Sequence, residues 1–278
     1  MLSSRWRRGT AVLRWRSLVA VGDSFTEGMD DPGPGDTFVG WADRLATLLA
    51  AEAPDFRYAN LAIRGKMLPE IIEQQVPLAA SLKPDLVTFC GGGNDIMVPN
   101  SDPDALAEQY EVAVADLRAA GCDVVIFTGF DTRSTPLLRS LRGKVAIYNS
   151  HLWSISERYH CHMVDLWSMH VLQDRRAWSE DRLHLSPEGH RRVALRVAKA
   201  LGLANDGEWN APWPAAEEAE WMTQRRQDLR WAREHVVPWI GRLLRGESMG
   251  DGLAPKRPEL LPIARMPEDD RSLTKEKG

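Results

Sequence analysis

The sequence has 278 residues, of which 44% are hydrophobic and 27% are charged, so it is long enough and apolar enough for a globular protein with a large core. A formal net charge of −4 excludes a strong electrostatic attraction to nucleic acid, and no apolar run approaches the roughly 20 residues of a membrane span. The three cysteines are scattered and odd in number, which favours buried, reduced thiols over a disulfide framework.

A basic arm is predicted at the start of the chain, over residues 1–16, which carry five arginines and no acidic residue. A secretory signal needs an uninterrupted apolar stretch of roughly 7–15 residues after its positive charges. Arg14 and Arg16 interrupt that stretch, and the first predicted strand follows at once. We therefore expect a solvated leader and a cytoplasmic protein.

Short apolar runs then alternate with longer stretches of helical spacing. In chain order we predict a strand at 17–21, a helix at 38–53, a strand at 56–62, a helix at 67–82 interrupted near Pro77, a strand at 85–90, a helix at 102–120, a strand at 123–128, a helix at 136–159, a strand at 162–167 and a helix at 186–201. This alternation predicts the α/β class, and strands that are almost wholly apolar are typical of a sheet covered on both faces. The expected architecture is a three-layer α/β/α sandwich around a five-stranded parallel sheet of flavodoxin-like order, 2-1-3-4-5.

The composition changes after the last predicted helix. We assign residues 17–204 to one domain and residues 205–245, which are rich in tryptophan and charge, to a helical extension. Residues 246–278 are rich in proline, glycine and charge and are predicted to be extended or partly disordered. The simplest role for the tryptophans is packing, and the alternative is a lid or an apolar acyl pocket near the site.

Polar and glycine residues follow the predicted strands at their carboxyl ends, where ligands bind in open parallel sheets. In the order 2-1-3, the loop with Ser24 lies between the loops that contain Gly65 and Asn94. A serine hydroxyl needs a neighbouring base, and histidine oriented by a carboxylate is the usual one near neutral pH. Asp181 and His184 are three residues apart, a spacing that brings two side chains together in a helical turn. These residue types favour acyl transfer, provided that residues 168–181 fold back from the edge strand towards Ser24.

An oxyanion needs hydrogen-bond donors, and three are available in these loops. They are the side-chain amide of Asn94, the backbone N–H of Gly65 and the backbone N–H of Ser24. Arg64 could meet a substrate carboxylate or phosphate, or it could face solvent. Asp23 is a second candidate for substrate binding, although a structural bond to its own loop is the simpler interpretation.

Other groupings of reactive residues have simpler explanations. Residues 160–162 read His-Cys-His, but adjacent residues on a strand point to opposite faces, so we predict no metal site. The three glycines at 91–93 lack the spacing of a nucleotide-binding loop, so no cofactor is expected. His190 is assigned a surface or capping role. His170 and Asp174 are reserve candidates should Asp181 and His184 not meet Ser24.

Four segments in a fixed order carry a resemblance to a known family. They read VGDSFTEG at 21–28, NLAIRG at 60–65, GGND at 92–95 and DRLHLSPEGH at 181–190. Over about residues 17–202 the chain resembles the SGNH hydrolases, also called GDSL lipases and esterases, with Phe25 where the family name has leucine. The resemblance implies an α/β/α sandwich with Ser24 as nucleophile, Asp181 and His184 completing the triad, and Gly65 and Asn94 in the oxyanion hole.

Together these patterns predict a serine esterase that cleaves a small O-acyl ester through an acyl-serine intermediate. An acyltransferase or a thioesterase would use the same triad, and a non-catalytic binding protein could keep the same fold. We expect a small-molecule ester as partner, with no nucleic acid and no membrane span. The acyl group, the alcohol and the oligomeric state stay open.

Overall fold

The computed structural model describes residues 14–35, 37–53, 55–135, 138–203, 208–215 and 250–263. These residues form a mostly parallel sheet with the spatial order β5-β4-β3-β1-β2-β6. Its strands are β1 (Ser17–Gly22), β2 (Arg57–Asn60), β3 (Leu86–Cys90), β4 (Asp123–Phe127), β5 (His162–Val164) and β6 (Arg257–Pro262). The predicted α/β class and the order of the first five strands are confirmed.

The predicted number of strands is wrong, because the described residues form six strands and not five. The sixth strand, β6, pairs antiparallel with β2 and lies in the segment that composition predicted to be extended or partly disordered. Its sequence, RPELLP, contains two prolines and no clear alternation, and most of its residues are exposed. Proline is tolerated at sheet edges, where one side of the strand needs no partner. Residues 264–278 lie outside the described part.

Helices cover both faces of the sheet and give the three predicted layers. They are α1 (Ser24–Glu27), α2 (Gly40–Glu52), α3 (Leu68–Glu70), α4 (Val76–Ser81), α5 (Gly93–Met97), α6 (Pro103–Ala119), α7 (Arg142–Arg158) and α8 (Pro187–Ala200). The predicted interruption near Pro77 is a π turn, Ile71–Gln75, between α3 and α4. Proline fits there because the first turn of a helix needs no internal N–H donor.

Two apolar cores lie on opposite faces of the sheet. On one face α2 and α8 pack around Trp41 and Leu45, which are fully buried. On the other face α4, α6 and α7 pack around Phe89 and Tyr110, whose rings stack at 4.2 Å. The strands alternate their side chains between these cores, so the sheet is fixed from both sides and can hold loops firmly at its carboxyl edge.

The part of the tryptophan-rich extension that the structure describes packs on the outside of α8. Arg192 lies over the ring of Trp213 at 4.1 Å, and Arg196 lies over the ring of Trp209 at 4.9 Å. Most of residues 205–245, and residues 1–13 of the basic arm, lie outside the described part. Within the described residues no helix is long and apolar enough to cross a membrane.

Candidate active site

A hydrogen-bonded chain joins the three residues predicted as a triad. Ser24 begins α1 directly after β1, and its hydroxyl oxygen lies 2.9 Å from Nε2 of His184. The other ring nitrogen, Nδ1, lies 2.5 Å from Oδ2 of Asp181. An Nδ1–H donating to the carboxylate leaves Nε2 free to accept the serine proton. The order of contacts is therefore that of a nucleophile, a base and an orienting acid.

The segment that carries His184 folds back across the strand ends and reaches Ser24. After β5 the chain makes two short 3-10 turns, His170–Gln173 and Arg175–Ala177, and Trp178 then pairs with Leu185 in an antiparallel bridge. Asp181 and His184 lie in the turn that this bridge closes and not in a helix.

Backbone hydrogen bonds hold that turn in shape. One oxygen of Asp181 accepts the backbone N–H groups of Leu183, at 2.9 Å, and of His184, at 3.0 Å. The Ser179 hydroxyl donates to the same oxygen at 2.6 Å. The second oxygen remains for the imidazole, so the acid is fixed before it meets the base.

The predicted oxyanion residues border the same cavity as Ser24. Gly65 lies in the loop after β2, and Asn94 lies in the first turn of α5 after β3, so the two residues are on either side of β1. The Asn94 amide donates to the backbone oxygen of Lys66 at 2.9 Å and lies 3.4 Å from a carboxylate oxygen of Asp23. Gly65 has a φ of 76°, a left-handed conformation that favours glycine.

The charges around the imidazole keep it basic. Burial alone would lower the pKa of His184, but the hydrogen bond and negative charge of Asp181, with weaker contributions from Asp30 and Asp23, raise it above its usual 6.5. Burial acts to raise the pKa of Asp181, yet the bond and charge of His184 hold it well below its usual value. Burial raises the pKa of Asp23 to about 6. An imidazolium at this position is thus stabilised by surrounding carboxylates.

The positions of two further residues near His184, Asp30 and His190, were not predicted from the sequence. Asp30 has a carboxylate oxygen 3.9 Å from Nδ1 of His184, so a second acid flanks the ring. His190 is fully buried, which corrects the expected surface role. Its Nδ1 accepts the N–H of Trp41 at the start of α2, and its Nε2–H donates to Met29 O at 3.1 Å.

The sequence spacing of Asp30 and His190 does not predict their contacts, because these depend on the fold. Burial lowers the pKa of His190 to about 4, so its ring is neutral and serves as a fixed bridge between α8, α2 and the loop that carries Asp30. His170 and Asp174 lie at and beside the 3-10 turns of the folded-back segment, and the reserve assignment is not needed.

The two predicted substrate-binding residues both border the cavity but also have structural partners. The Arg64 guanidinium pairs with the buried carboxylate of Glu27, which also accepts the Arg64 backbone N–H at 2.7 Å. Asp23 accepts the N–H of Phe25 at 3.0 Å and so caps α1. Contact of either residue with a substrate stays a prediction.

Three side chains of the described part could together offer ligand atoms to a metal ion. They are Asp30, Asp181 and His184, whose candidate atoms lie within 4.8 Å of one another. The Nδ1 of His184 is already committed to Asp181 at 2.5 Å. A metal there would have to replace the proton that orients the base, so this grouping fits the triad better than an ion site.

The C-terminal strand contacts the elements that carry the site. Lys256 lies just before β6 and is 15% exposed. Its ammonium has four acceptors within hydrogen-bond distance, the backbone carbonyls of Glu27 (2.5 Å), Phe38 (2.9 Å) and Val39 (2.8 Å) and the carboxylate of Asp43 (2.5 Å), which its three N–H groups share. Gly250 lies so close to the loop of Gly65 that a Cβ there would be 2.2 Å from the Arg64 carbonyl oxygen. This segment therefore holds both α1 and the loop of Gly65.

Comparison with known proteins gives a family and a fold. The chain resembles LAE5, an alpha/beta hydrolase enzyme from the metagenome of Lake Arreo, Spain, at 22% identity and a TM-score of 0.57, over 69% of this chain and 97% of that one. It resembles the acetylxylan esterase Axe2 of Geobacillus stearothermophilus at 20% identity and a TM-score of 0.55, over 68% and 95%. It resembles TesA at 22% identity and a TM-score of 0.56, over 66% and 97%.

At these identities the solved structures establish the shared fold. A comparison with curated protein sequences found no match. The model of the GDSL-like Lipase/Acylhydrolase family matches residues 20–192, a stretch that contains all three residues of the hydrogen-bonded chain. The protein therefore belongs to the GDSL-like lipase/acylhydrolase family.

Proposed function

We propose that this protein is a serine esterase that hydrolyses small O-acyl esters through an acyl-serine intermediate. The observation that carries the proposal is the hydrogen-bonded chain from Ser24 through His184 to Asp181, at 2.9 Å and 2.5 Å. Such a chain makes a hydroxyl nucleophilic at neutral pH, and it is built within a domain of an acylhydrolase family.

In the first half of the proposed reaction, the Ser24 oxygen attacks the ester carbonyl carbon while Nε2 of His184 takes the hydroxyl proton. The resulting imidazolium is stabilised by Asp181, which stays ionised. The tetrahedral intermediate then collapses, the C–O bond to the alcohol breaks, and His184 returns its proton to the leaving alcohol oxygen. The product of this half is an acyl-Ser24 ester.

The oxyanion would be held by the N–H groups of Ser24, Gly65 and Asn94. The Asn94 amide has one N–H committed to the Lys66 carbonyl at 2.9 Å, which fixes its orientation. Its other N–H faces Asp23 over a long 3.4 Å, a weak contact that an oxyanion can replace. Removing one such donor typically costs about 100-fold to 1,000-fold in kcat.

In the second half, water replaces the alcohol. His184 takes a proton from that water, the hydroxide attacks the acyl carbonyl, and the Ser24–acyl bond breaks with return of the proton to the serine oxygen. An acyltransferase would differ only in the acceptor, and a thioesterase only in the leaving atom.

Hydrolysis of p-nitrophenyl butyrate by the full chain tests the proposal. We expect Ser24→Ala and His184→Ala each to lower kcat by roughly 10⁴-fold or more with unchanged Tm. Ser154→Ala, which removes an exposed serine hydroxyl that does not border the cavity, is the control and should keep full activity. Parallel assays with butyryl thioesters and with added alcohols distinguish an esterase from a thioesterase and from an acyltransferase. Full activity in Ser24→Ala would remove the proposal.

A further inference from the structure

We propose that the cavity beside Ser24 is an acyl-chain pocket, so that the preferred substrates are esters of aliphatic acids longer than acetate. The inference rests on the proposed function, because it assigns the acyl side of the same site. The cavity has a volume of about 220 Å³ and extends from Ser24 well past the triad.

The direction of the cavity follows from the sheet order. Ser24 follows β1, and the oxyanion loop with Gly65 follows β2 on one side. The cavity runs to the other side, over the carboxyl ends of β3 and β4 towards α7. A carbonyl whose oxygen faces the backbone N–H of Gly65 therefore has room for a chain on the other side of β1, beside Phe127.

The walls of this part are apolar and firmly packed. They include Phe127, Leu138, Val145, Tyr148, Leu166 and Trp178, each of which is at most 8% exposed. All of these side chains except Leu138 belong to the two cores on either face of the sheet, so this part of the pocket is formed before any ligand binds. Preformed apolar cavities hold water poorly and are filled readily by apolar groups.

The polar groups of the cavity lie mostly at its catalytic end, with Asp23, Arg64 and His184. On the far walls the Thr128 hydroxyl already accepts the N–H of Leu166 at 2.9 Å, and Thr132 contributes one more hydroxyl. A carbohydrate would need many donors and acceptors along its length. These walls suit a hydrocarbon chain instead.

An apolar pocket could also take the chain of the alcohol, and the order of the reaction favours the acyl group. The acyl chain stays covalently attached until water has attacked, and an apolar pocket can position it for that whole time. The alcohol is protonated by His184 and must then leave to solvent. We therefore assign the apolar part of the cavity to the acyl chain.

The test is a chain-length series with one leaving group, p-nitrophenyl esters from acetate to dodecanoate, measured as kcat/KM on the full chain. Each buried methylene should raise kcat/KM by roughly threefold to fourfold until the pocket is full. A second series of alkyl acetates varies the alcohol instead. It should be flat if the assignment is correct.

Two substitutions move the end of the pocket in opposite directions. Leu141→Trp adds bulk at a half-buried position that borders the cavity and should shorten the optimal chain, while Val145→Ala should lengthen it. Val112→Trp, at a 59% exposed position on α6, is the matched control and should leave the optimum unchanged. The comparison uses the optimal acyl-chain length of each variant and not its absolute activity, so a partly destabilised variant is still informative.

Three results would overturn the inference. One is a wild-type optimum at acetate, and another is a chain-length effect confined to the alcohol. The third is an optimum that neither Leu141→Trp nor Val145→Ala moves. In each of these cases a fluorophosphonate probe would still label Ser24, so the proposed function would stand. Absence of both hydrolysis and labelling would instead remove the proposed function itself.

Discussion

Lys256→Met tests whether the contacts of the C-terminal strand support the active site. Lys256 lies far outside the family match of residues 20–192, yet its ammonium donates to the carbonyl of Glu27, the last residue of the helix that begins at Ser24. Methionine has a similar length and an apolar stem but cannot donate. The change therefore removes the charge and its hydrogen bonds while filling nearly the same volume.

The expected loss of stability depends on the Asp43 carboxylate that the substitution leaves without its partner. Breaking a buried ion pair by removing one partner costs about 3–5 kcal/mol, because the remaining charge loses its compensation. The Asp43 carboxylate keeps 28% exposure and can be rehydrated, so we expect the lower end, about 3 kcal/mol of the free energy of unfolding. For a domain of this size the Tm should fall by about 6–12 °C.

Activity should fall as well, in kcat more than in KM. Release of the Glu27 carbonyl frees the end of α1 and, through the Glu27 carboxylate, the Arg64–Gly65 loop that would bind the oxyanion. We expect a loss of at least tenfold in kcat at 15 °C, where the variant is still folded; tenfold corresponds to about 1.4 kcal/mol of transition-state stabilisation. Lys256→Arg should recover part of it.

Calorimetry and p-nitrophenyl ester kinetics on the wild type and on Lys256→Met measure both effects. Lys83→Met, at an exposed position, is the matched control and should change neither the Tm nor kcat. If Lys256→Met has a Tm within about 2 °C of wild type and an unchanged kcat, the reasoning is refuted, because the contacts of Lys256 would then contribute nothing to the free energy of unfolding or to catalysis.

Three more predictions concern the triad and the loop beside it. In a pH-rate profile, wild-type kcat/KM should fall as the pH drops through the raised pKa of His184. Asp181→Asn should move this acid limb to lower pH and lower kcat by roughly 10²-fold to 10⁴-fold. Asp30→Asn should move the same limb down by less than about one unit, because the carboxylate is partly exposed, with kcat within about tenfold; an unmoved limb would show that Asp30 does not act on the ring. Gly92→Ala should lower the free energy of unfolding by about 1–3 kcal/mol in denaturant titrations, because φ is 94° and the new Cβ would lie 2.6 Å from the Tyr148 hydroxyl; wild-type stability would contradict the geometry.

Much of the site was predictable because a parallel sheet places the ends of its strands at one edge. Ser24, Gly65 and Asn94 each follow a strand, so the strand order alone predicts that they meet. His184 was harder, since it follows an edge strand. Its approach depends on a bridge between Trp178 and Leu185 and on backbone bonds to Asp181, which no spacing rule encodes.

The features that sequence reasoning missed depend on contacts between distant parts of the chain. β6 was missed because its prolines and exposed charges are typical of a loop, and only pairing with β2 makes it a strand. For His190 a surface or capping role was expected, because its spacing from His184 says nothing about burial. Asp30 lies close to His184 because long-range bonds hold the loop after α1, among them the His190 bond to Met29 and the bonds of Arg44 to Asp31.

The most direct test of the central claim is to locate the covalent bond. A fluorophosphonate probe is incubated with the wild type, Ser24→Ala and His184→Ala, and the labelled peptide is identified by mass spectrometry. The account predicts one adduct, on Ser24, which is absent in Ser24→Ala and forms at least about 100-fold more slowly in His184→Ala. An adduct on another residue, or equal labelling with and without the imidazole, would contradict it.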